Sequence, residues 1–243
     1  MSVLAVVVFF ALLKIDAGYG KFYSKKWGKS VSNKVGWKIM EAPVFIIMLA
    51  LWAFSEYRFD IGRICILLLF QIHYFYRAFI FPNKFKGRSQ MAISVVAMGF
   101  VFQVINALLI GGWLFYLSPP DYYGASWLLS YKFIIGLIIF VVGMVINRHS
   151  DNVILNLRKT DENKYYLPTK GLYRYVTSAN YFGELVEWIG FAILSWSGAA
   201  AVFALWTFAN LTPRAIRIYD KYVSMFPDEM KNRKLKKLIP FIF

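Results

Sequence analysis

Several strongly polar side chains fall inside long apolar runs of this sequence. Glu41 interrupts KIMEAPVFII, and Gln71, His73, Tyr74 and Arg77 stand in LLLFQIHYFYRAF. Asn147, His149 and Asp151 occur in VINRHSDNVI, Asn180, Glu184 and Glu187 in ANYFGELVEW, and Asn210 and Arg214 in ANLTPRA. Asn147/Asp151 and Asn180/Glu184 are spaced i,i+4, while Glu184/Glu187 and Tyr74/Arg77 are spaced i,i+3, so each pair shares a helix face. A carboxyl and a phenol in a water-poor cavity can hydrogen-bond a carbonyl oxygen and stabilise the negative charge that grows there as a nucleophile adds. Glu41, in an otherwise apolar run, must find a partner or carry a proton, and a protonated carboxyl can donate. Arg88, Arg158 and Arg214, on different loops, can converge on phosphates. Polar side chains at 147, 151, 180 and 184 suit a nicotinamide amide, ribose hydroxyls or adenine.

The same residues admit plainer roles. Asn147, Asp151 and Asn180 stand at helix ends, where such side chains cap. Glu187 beside Trp188 suits a structural arginine partner, and His73 a packed histidine. The two histidines fall in different apolar runs with no HxxxH, and Cys65 is the single cysteine, so neither a metal site nor an internal disulfide is expected. There is no GxGxxG or GxxxxGK[ST] motif and no Ser/His/Asp grouping. Residue types alone therefore leave a reductase, a methyltransferase and a transporter all open.

The elements that carry these residues must be membrane spans. The chain has 243 residues, 59% hydrophobic and 17% charged, where soluble domains average about 45–50% and about 25%. Seven apolar runs approach the roughly 20 residues a spanning helix needs: Ser2 to Ala17, Trp37 to Phe54, Ile61 to Phe81, Met91 to Leu117, Trp127 to Asn147, Tyr181 to Trp196, and Ala199 to Leu211. The first requires Lys14 to snorkel and lacks a cleavage site, so it is read as retained. The sixth and seventh are short and joined at Ser197-Gly198. Of 28 Lys and Arg, 25 fall in residues 14–38, 77–88, 148–174 and 214–237. The alternate loops carry Arg58 and Arg63 or none. Positive-inside bias then puts the N-terminus outside and the C-terminus in the cytoplasm, which seven spans satisfy. The expected fold is an all-α integral membrane protein of seven transmembrane helices, one domain over 1–243. The net charge of +15 is assigned to anionic lipid headgroups and a cofactor, not to nucleic acid. The polar residues collect at cytoplasmic helix ends, with Glu41 and Tyr74 toward the apolar end of a cytoplasm-facing cavity.

At these residues the sequence resembles the steroid 5α-reductase family, over almost the whole chain. The likeness lies in Gly18-Tyr19-Gly20-Lys21, Glu41-Ala42-Pro43, His73-Tyr74-Phe75-Tyr76-Arg77, Gly87-Arg88, 147–151, Leu157-Arg158-Lys159, 171–176, the block 178–190 (SANYFGELVEWIG), Arg214-Ala215 and the tail LIPFIF. The resemblance implies a seven-helix membrane enzyme that uses NADPH to reduce the C4–C5 double bond of a 3-oxo-Δ4-steroid, with hydride to C5 and a proton to C4. It implies that Glu41 and Tyr74 polarise the 3-oxo group. It places Asn147, Asp151, Arg158 and Tyr165 on the adenosine side of the cofactor, and Arg88, Asn180, Glu184, Arg214 and Tyr222 near the nicotinamide and phosphates. Two positions depart from the family: Met40 stands where the human enzymes carry Gln, and Ile218 where members carry His.

The competing readings are an enoyl-lipid reductase acting on an acyl-CoA, a membrane methyltransferase using S-adenosylmethionine, and a lipid-binding or transport protein. The charge pattern and compact loops suggest a bacterial homologue in an inner membrane; a eukaryotic protein of this kind would belong in the endoplasmic reticulum. The protein is expected to act as a monomer on a steroid or other enone lipid. The basic segment 213–243, interrupted by Pro213, Pro227 and Pro240, is read as a mobile cytoplasmic cover over the cofactor.

Overall fold

A computed structural model describes residues 1–14, 27–85, 89–157 and 166–243. Arg88, Arg158 and Tyr165 lie outside the described residues, as do residues 15–26. The chain is mostly helical: α1 (Ser2–Lys14), β1 (Ser30–Ser32), α2 (Asn33–Ala53), α3 (Ile61–Phe75), β2 (Gln90–Ala92), α4 (Ile93–Gly112), α5 (Tyr131–Leu157), α6 (Ala179–Ser195), α7 (Gly198–Met225) and α8 (Pro227–Arg233). Among the described residues four segments are long and apolar enough to cross a membrane: Asn33–Ala53, Ile61–Lys84, Ile93–Leu117 and Tyr131–Leu157. Thirteen residues give α1 a length of only about 20 Å, and α6 has 17 residues. The protein is an integral membrane protein by these helices.

Two compact units are distinguishable. One takes α1 together with Gly136–Ala192 and Ala201–Phe243; the other takes the described residues from Trp27 to Ile135 together with Ile193–Ala200.

In the second unit, β1 and β2 pair antiparallel with Val31 opposite Met91, and α2 and α4 both leave from this small sheet. Gly36 meets Val96, Met40 meets Gly99 and Met48 and Leu51 meet Gly111, so the two helices run in the same direction, while Arg63 reaches Leu114 and Tyr74 reaches Gln103, so α3 runs against them. Helix starts are set by short polar caps: the Ser32 hydroxyl accepts the Val35 amide at 3.3 Å, and Asp60 accepts the Gly62 amide at 3.1 Å. Met40 of α2 packs on Gly99 of α4, where a side chain would collide with the thioether. At the far end α3 places Arg63 under the end of α4. Its guanidinium donates to the carbonyls of Leu114 (2.8 Å), Pro119 (2.9 Å) and Pro120 (3.0 Å) and to Ser118 Oγ (3.1 Å), and it pairs with Asp60. Those carbonyls belong to a π-helical turn, Trp113–Leu117, and the loop after it, where the regular helical bonds have run out. On the same side the loop after α4 meets the α6–α7 turn. Tyr123, Tyr122 and Trp127 donate to the carbonyls of Ser195 (2.6 Å), Trp196 (3.2 Å) and Leu194 (3.0 Å).

In the first unit, α5 and α6 pack antiparallel, backbone on backbone. A Cβ at Gly183 would lie 2.8 Å from the Asn147 Cα, and Gly143 and Gly190 meet Glu187 and Phe140 in the same way. Helix α1 lies along α7 in the same direction. Trp206 donates to the Met1 carbonyl at 3.1 Å, Phe9 stacks on Phe208, and Arg217 donates to the Leu13 carbonyl at 2.8 Å.

Two helix boundaries differ from the sequence expectation. Helix α5 continues past Asn147 to Leu157, so that Asn147 and Asp151 are interior helix residues. Helix α7 runs through Pro213 to Met225. The proline removes one backbone donor, but α1 holds α7 on both sides of it, through Trp206 and Arg217. Residues beyond α8 pack into the unit. Val176 and Lys236 form a parallel bridge, Arg233 donates to the carbonyls of Tyr173 (2.8 Å) and Pro168 (3.2 Å), and Leu238 is buried against Leu185 and Ala215.

Candidate active site

The polar groups form two clusters, one in each unit. In the second unit, α2 supplies Glu41, α3 supplies Tyr74, and α4 supplies Gln103 and Asn106, all four buried. Gln103 Nε2 donates to Glu41 Oε2 at 2.7 Å, and the Tyr74 hydroxyl donates to Gln103 Oε1 at 3.4 Å. Asn106 Nδ2 lies 3.4 Å from the Tyr74 hydroxyl oxygen and 3.5 Å from Gln103 Oε1, and donates to both. Local sequence prepares the site. Pro43, two residues past Glu41, deprives the Ile39 carbonyl of its usual helical donor. Tyr74 lies just ahead of a π-helical turn, Tyr76–Ile80, a local widening often met at functional sites. Gln71 ties α3 to α2 by donating to the Phe45 carbonyl at 3.0 Å.

The neighbours named with Tyr74 in the sequence take different places. Arg77 spreads its guanidinium over the rings of Trp37 and Phe81, 4.8 Å from each centroid. His73 is buried with its ring edge-on to Tyr74.

In the first unit, Asn147, Asp151, Asn180 and Glu184 come together across the α5–α6 seam. Asn147 Nδ2 donates to the Asn180 carbonyl at 2.9 Å and reaches Glu184 Oε2 at 3.5 Å, and Asn180 Nδ2 donates to Asp151 Oδ1 at 3.1 Å. The i,i+4 pairs on the two antiparallel helices thus face each other, two by two. Tyr173, from a 3-10 turn at Gly171–Arg174, adds a hydroxyl that donates to Asn180 Oδ1 at 3.1 Å. Its phenol is held well above its usual range, first by burial and then by the Asp151 carboxylate and the neighbouring Tyr222. Tyr222 is itself buried, in a group with Met230 and Leu235, while Arg214 is half-buried on α7. Glu187 is fully buried, with its backbone against Gly143. Among the described residues no group of three or more His, Cys, Asp or Glu is gathered that could hold a metal ion.

Gln103, Asn106 and Tyr173 escaped the sequence reading. The signal for the first two was present: an amide pair at i,i+3 in the apolar run VVAMGFVFQVINALLIGG, the same kind of anomaly as Glu41.

A buried carboxyl and a phenol joined by an amide inside membrane helices are functional-site candidates by their cost alone, and comparison with known proteins gives their class. The family model described as 3-oxo-5-alpha-steroid 4-dehydrogenase matches residues 89–243. The mouse 3-oxo-5-alpha-steroid 4-dehydrogenase 1 is 37% identical, covering 98% of this chain and 92% of its own length. The human 3-oxo-5-alpha-steroid 4-dehydrogenase 1 is 36% identical over 93% of this chain and 86% of its own, and steroid 5-alpha-reductase DET2 of Arabidopsis thaliana is 33% identical over 96% and 90%. The chain belongs to the steroid 5-alpha-reductase family, a family of oxidoreductases. Glu41 and Tyr74 fall before the residues matched by the family model.

Proposed function

We propose that the chain is a membrane-bound, NADPH-dependent reductase of the C4–C5 double bond of 3-oxo-Δ4-steroids. The observation that carries the reading is the buried link from Glu41 through Gln103 to Tyr74. It places a carboxyl and a phenol in one apolar surround, where donors aimed at a ketone oxygen have their greatest effect. NADPH, when bound, supplies the hydride. Glu41, carrying a proton, and Tyr74 donate to the 3-oxo oxygen, draw electron density from the enone and so make C5 electrophilic. Hydride addition at C5 moves the C4–C5 electron pair toward the oxygen as an enolate, whose charge the same two donors stabilise. Protonation at C4 then restores the ketone.

The first-unit cluster fits part of such a cofactor. Its two amides, two carboxylates and phenol are donors and acceptors for ribose hydroxyls and a carboxamide, and phosphate contacts fall to Arg88, Arg158 and Arg214. Tyr165 and Tyr222 are assigned with them to the cofactor. The residues assigned to the adenosine side, Asn147 and Asp151, touch those assigned to the nicotinamide side, Asn180 and Glu184, so the cluster grips one stretch of the molecule.

We also propose seven spans with the N-terminus outside and the C-terminus in the cytoplasm. The shared direction of α1 and α7 in one unit, and of α2 and α4 in the other, supports an alternating path.

The test is NADPH oxidation by purified, detergent-solubilised protein with progesterone, read together with the stereochemistry of the product at C5. Steroid-dependent oxidation to the 5α product is expected. Glu41→Gln should lower turnover by about 10²–10³-fold while NADPH binding is retained. Full activity in that variant would remove Glu41 from the mechanism.

A further inference from the structure

Helix α4 contributes two amides to the second-unit cluster that the proposed chemistry does not yet use. This inference deepens that reading and rests on it. We infer that Gln103, braced by Asn106, is a positioning residue: it ties the Glu41 carboxyl to the Tyr74 phenol and holds the two donors together before substrate enters.

An amide suits the place because it can donate to a carboxyl and accept from a phenol at the same time. Gln103 does both, with Nε2 on Glu41 Oε2 at 2.7 Å and Oε1 taking the Tyr74 hydroxyl at 3.4 Å. The two contacts are unequal. The first has the length of a strong hydrogen bond and the second is long, so the amide is firmly attached to Glu41 and loosely to Tyr74. The phenol is therefore the donor that can be exchanged.

Asn106 makes the exchange cheap. To reach a ketone oxygen, the Tyr74 hydroxyl has to leave Gln103 Oε1, which would strand a buried acceptor. Asn106 Nδ2 already lies 3.5 Å from that same oxygen and 3.4 Å from the phenol oxygen. It keeps Oε1 partnered after the hydroxyl turns away, and it leaves the phenol's own proton pointing outward to a new acceptor.

Helix α2 offers no substitute. Beside Glu41 stands Met40, a thioether packed on Gly99, one turn before Gln103 on α4. The amide that steadies the carboxyl comes from α4. Nor is packing a sufficient reason for it: a buried amide in a membrane helix costs free energy unless its groups are partnered, and leucine or methionine would fill the volume.

The experiment compares wild type, Gln103→Met and Gln103→Asn, with Glu41→Gln as reference. Methionine keeps the length of the side chain and removes both bonds; asparagine keeps the amide but shortens its reach. Four quantities are read: kcat with progesterone, NADPH affinity, thermal unfolding, and the infrared carbonyl band of bound steroid labelled with 13C at C3. Gln103→Met should lose about 10–100-fold in kcat, the scale of a misplaced reacting group. NADPH affinity should stay within about twofold, and the carbonyl band should shift toward that of the free ketone. Gln103→Asn should fall between Gln103→Met and wild type. Wild-type kcat and an unmoved band in Gln103→Met, with Glu41→Gln inactive, overturn the inference and leave the mechanism standing. Parallel loss of unfolding temperature and NADPH binding in both Gln103 variants assigns the residue to folding and also overturns it. If Glu41→Gln is fully active, the mechanism falls and the inference falls with it.

Discussion

Tyr173 shows how one buried side chain joins the geometry of the α5–α6 cluster to stability. Its hydroxyl holds Asn180, which in turn holds Asp151. Burial and the Asp151 charge raise its phenol well above the ordinary value of 10.0. A group whose folded value is raised contributes its stability fully below the unfolded value and loses it as pH climbs, because the unfolded chain ionises first. Wild-type protein in detergent should therefore lose unfolding temperature steeply above pH 10. Tyr173→Phe should start lower at pH 8, by about 1 kcal/mol for the lost hydrogen bond, and fall less between pH 9 and pH 11. Parallel pH curves for the two proteins would contradict the assignment. The residue was visible in the sequence only as part of GLYRYV. Nothing in its spacing relates it to Asn180, and its contribution comes from a 3-10 turn that folds back on the α5–α6 seam. Glu41 was the opposite case: one carboxyl in an apolar helix requires a partner on physical grounds, and it has one.

Elements were legible where a single period governed them. The helices α2, α3 and α4 lie within a few residues of the runs read from hydropathy. The failures came at helix ends, where hydropathy drops before the helix does. Helix α5 continues for ten residues beyond Asn147, and α7 for twelve beyond Pro213, because packing on α6 and on α1 sustains them. Proline and polar residues predict a stop from local chemistry alone, and tertiary contacts override it. Arg63 is a second lesson of this kind. As a charge on a short loop it reads as a weak orientation marker, yet it is fully buried and closes the end of α4 with its hydrogen bonds. Arg63→Met should therefore destabilise by about 3–5 kcal/mol, because Asp60 and several carbonyls lose their donor in a buried site. Chemical or thermal unfolding in detergent measures this. A change under about 1 kcal/mol would mean that water replaces the guanidinium.

At the scale of the whole molecule the proposed seven-span path turns on α6 and α7. Length argues against it, since the 17 residues of α6 span only about 26 Å against a hydrocarbon core of about 30 Å. Hydrogen bonding argues for it. The α6–α7 turn accepts bonds from Tyr122, Tyr123 and Trp127, in the loop that follows α4. That loop has no Lys or Arg over residues 118–126, so positive-inside bias puts it outside. On the topology proposed above, a turn bonded to that loop lies outside with it, and α6 and α7 carry the chain there and back. Burial pushes the Tyr123 phenol up, so it stays a neutral donor to the Ser195 carbonyl across the physiological range. A single native cysteine makes the test direct. In a Cys65→Ser background, Ser126→Cys, Gly198→Cys and Asn232→Cys each report one position with a membrane-impermeant maleimide. Gly198 has open space around its Cα, so the new side chain is accommodated. Positions 126 and 198 should label on intact cells, and 232 only after permeabilisation. Labelling of 198 only after permeabilisation would make α6 and α7 a re-entrant pair and reduce the path to five spans, leaving 126 and 232 on opposite sides as before. Labelling at 198, not at 232, therefore distinguishes the two arrangements.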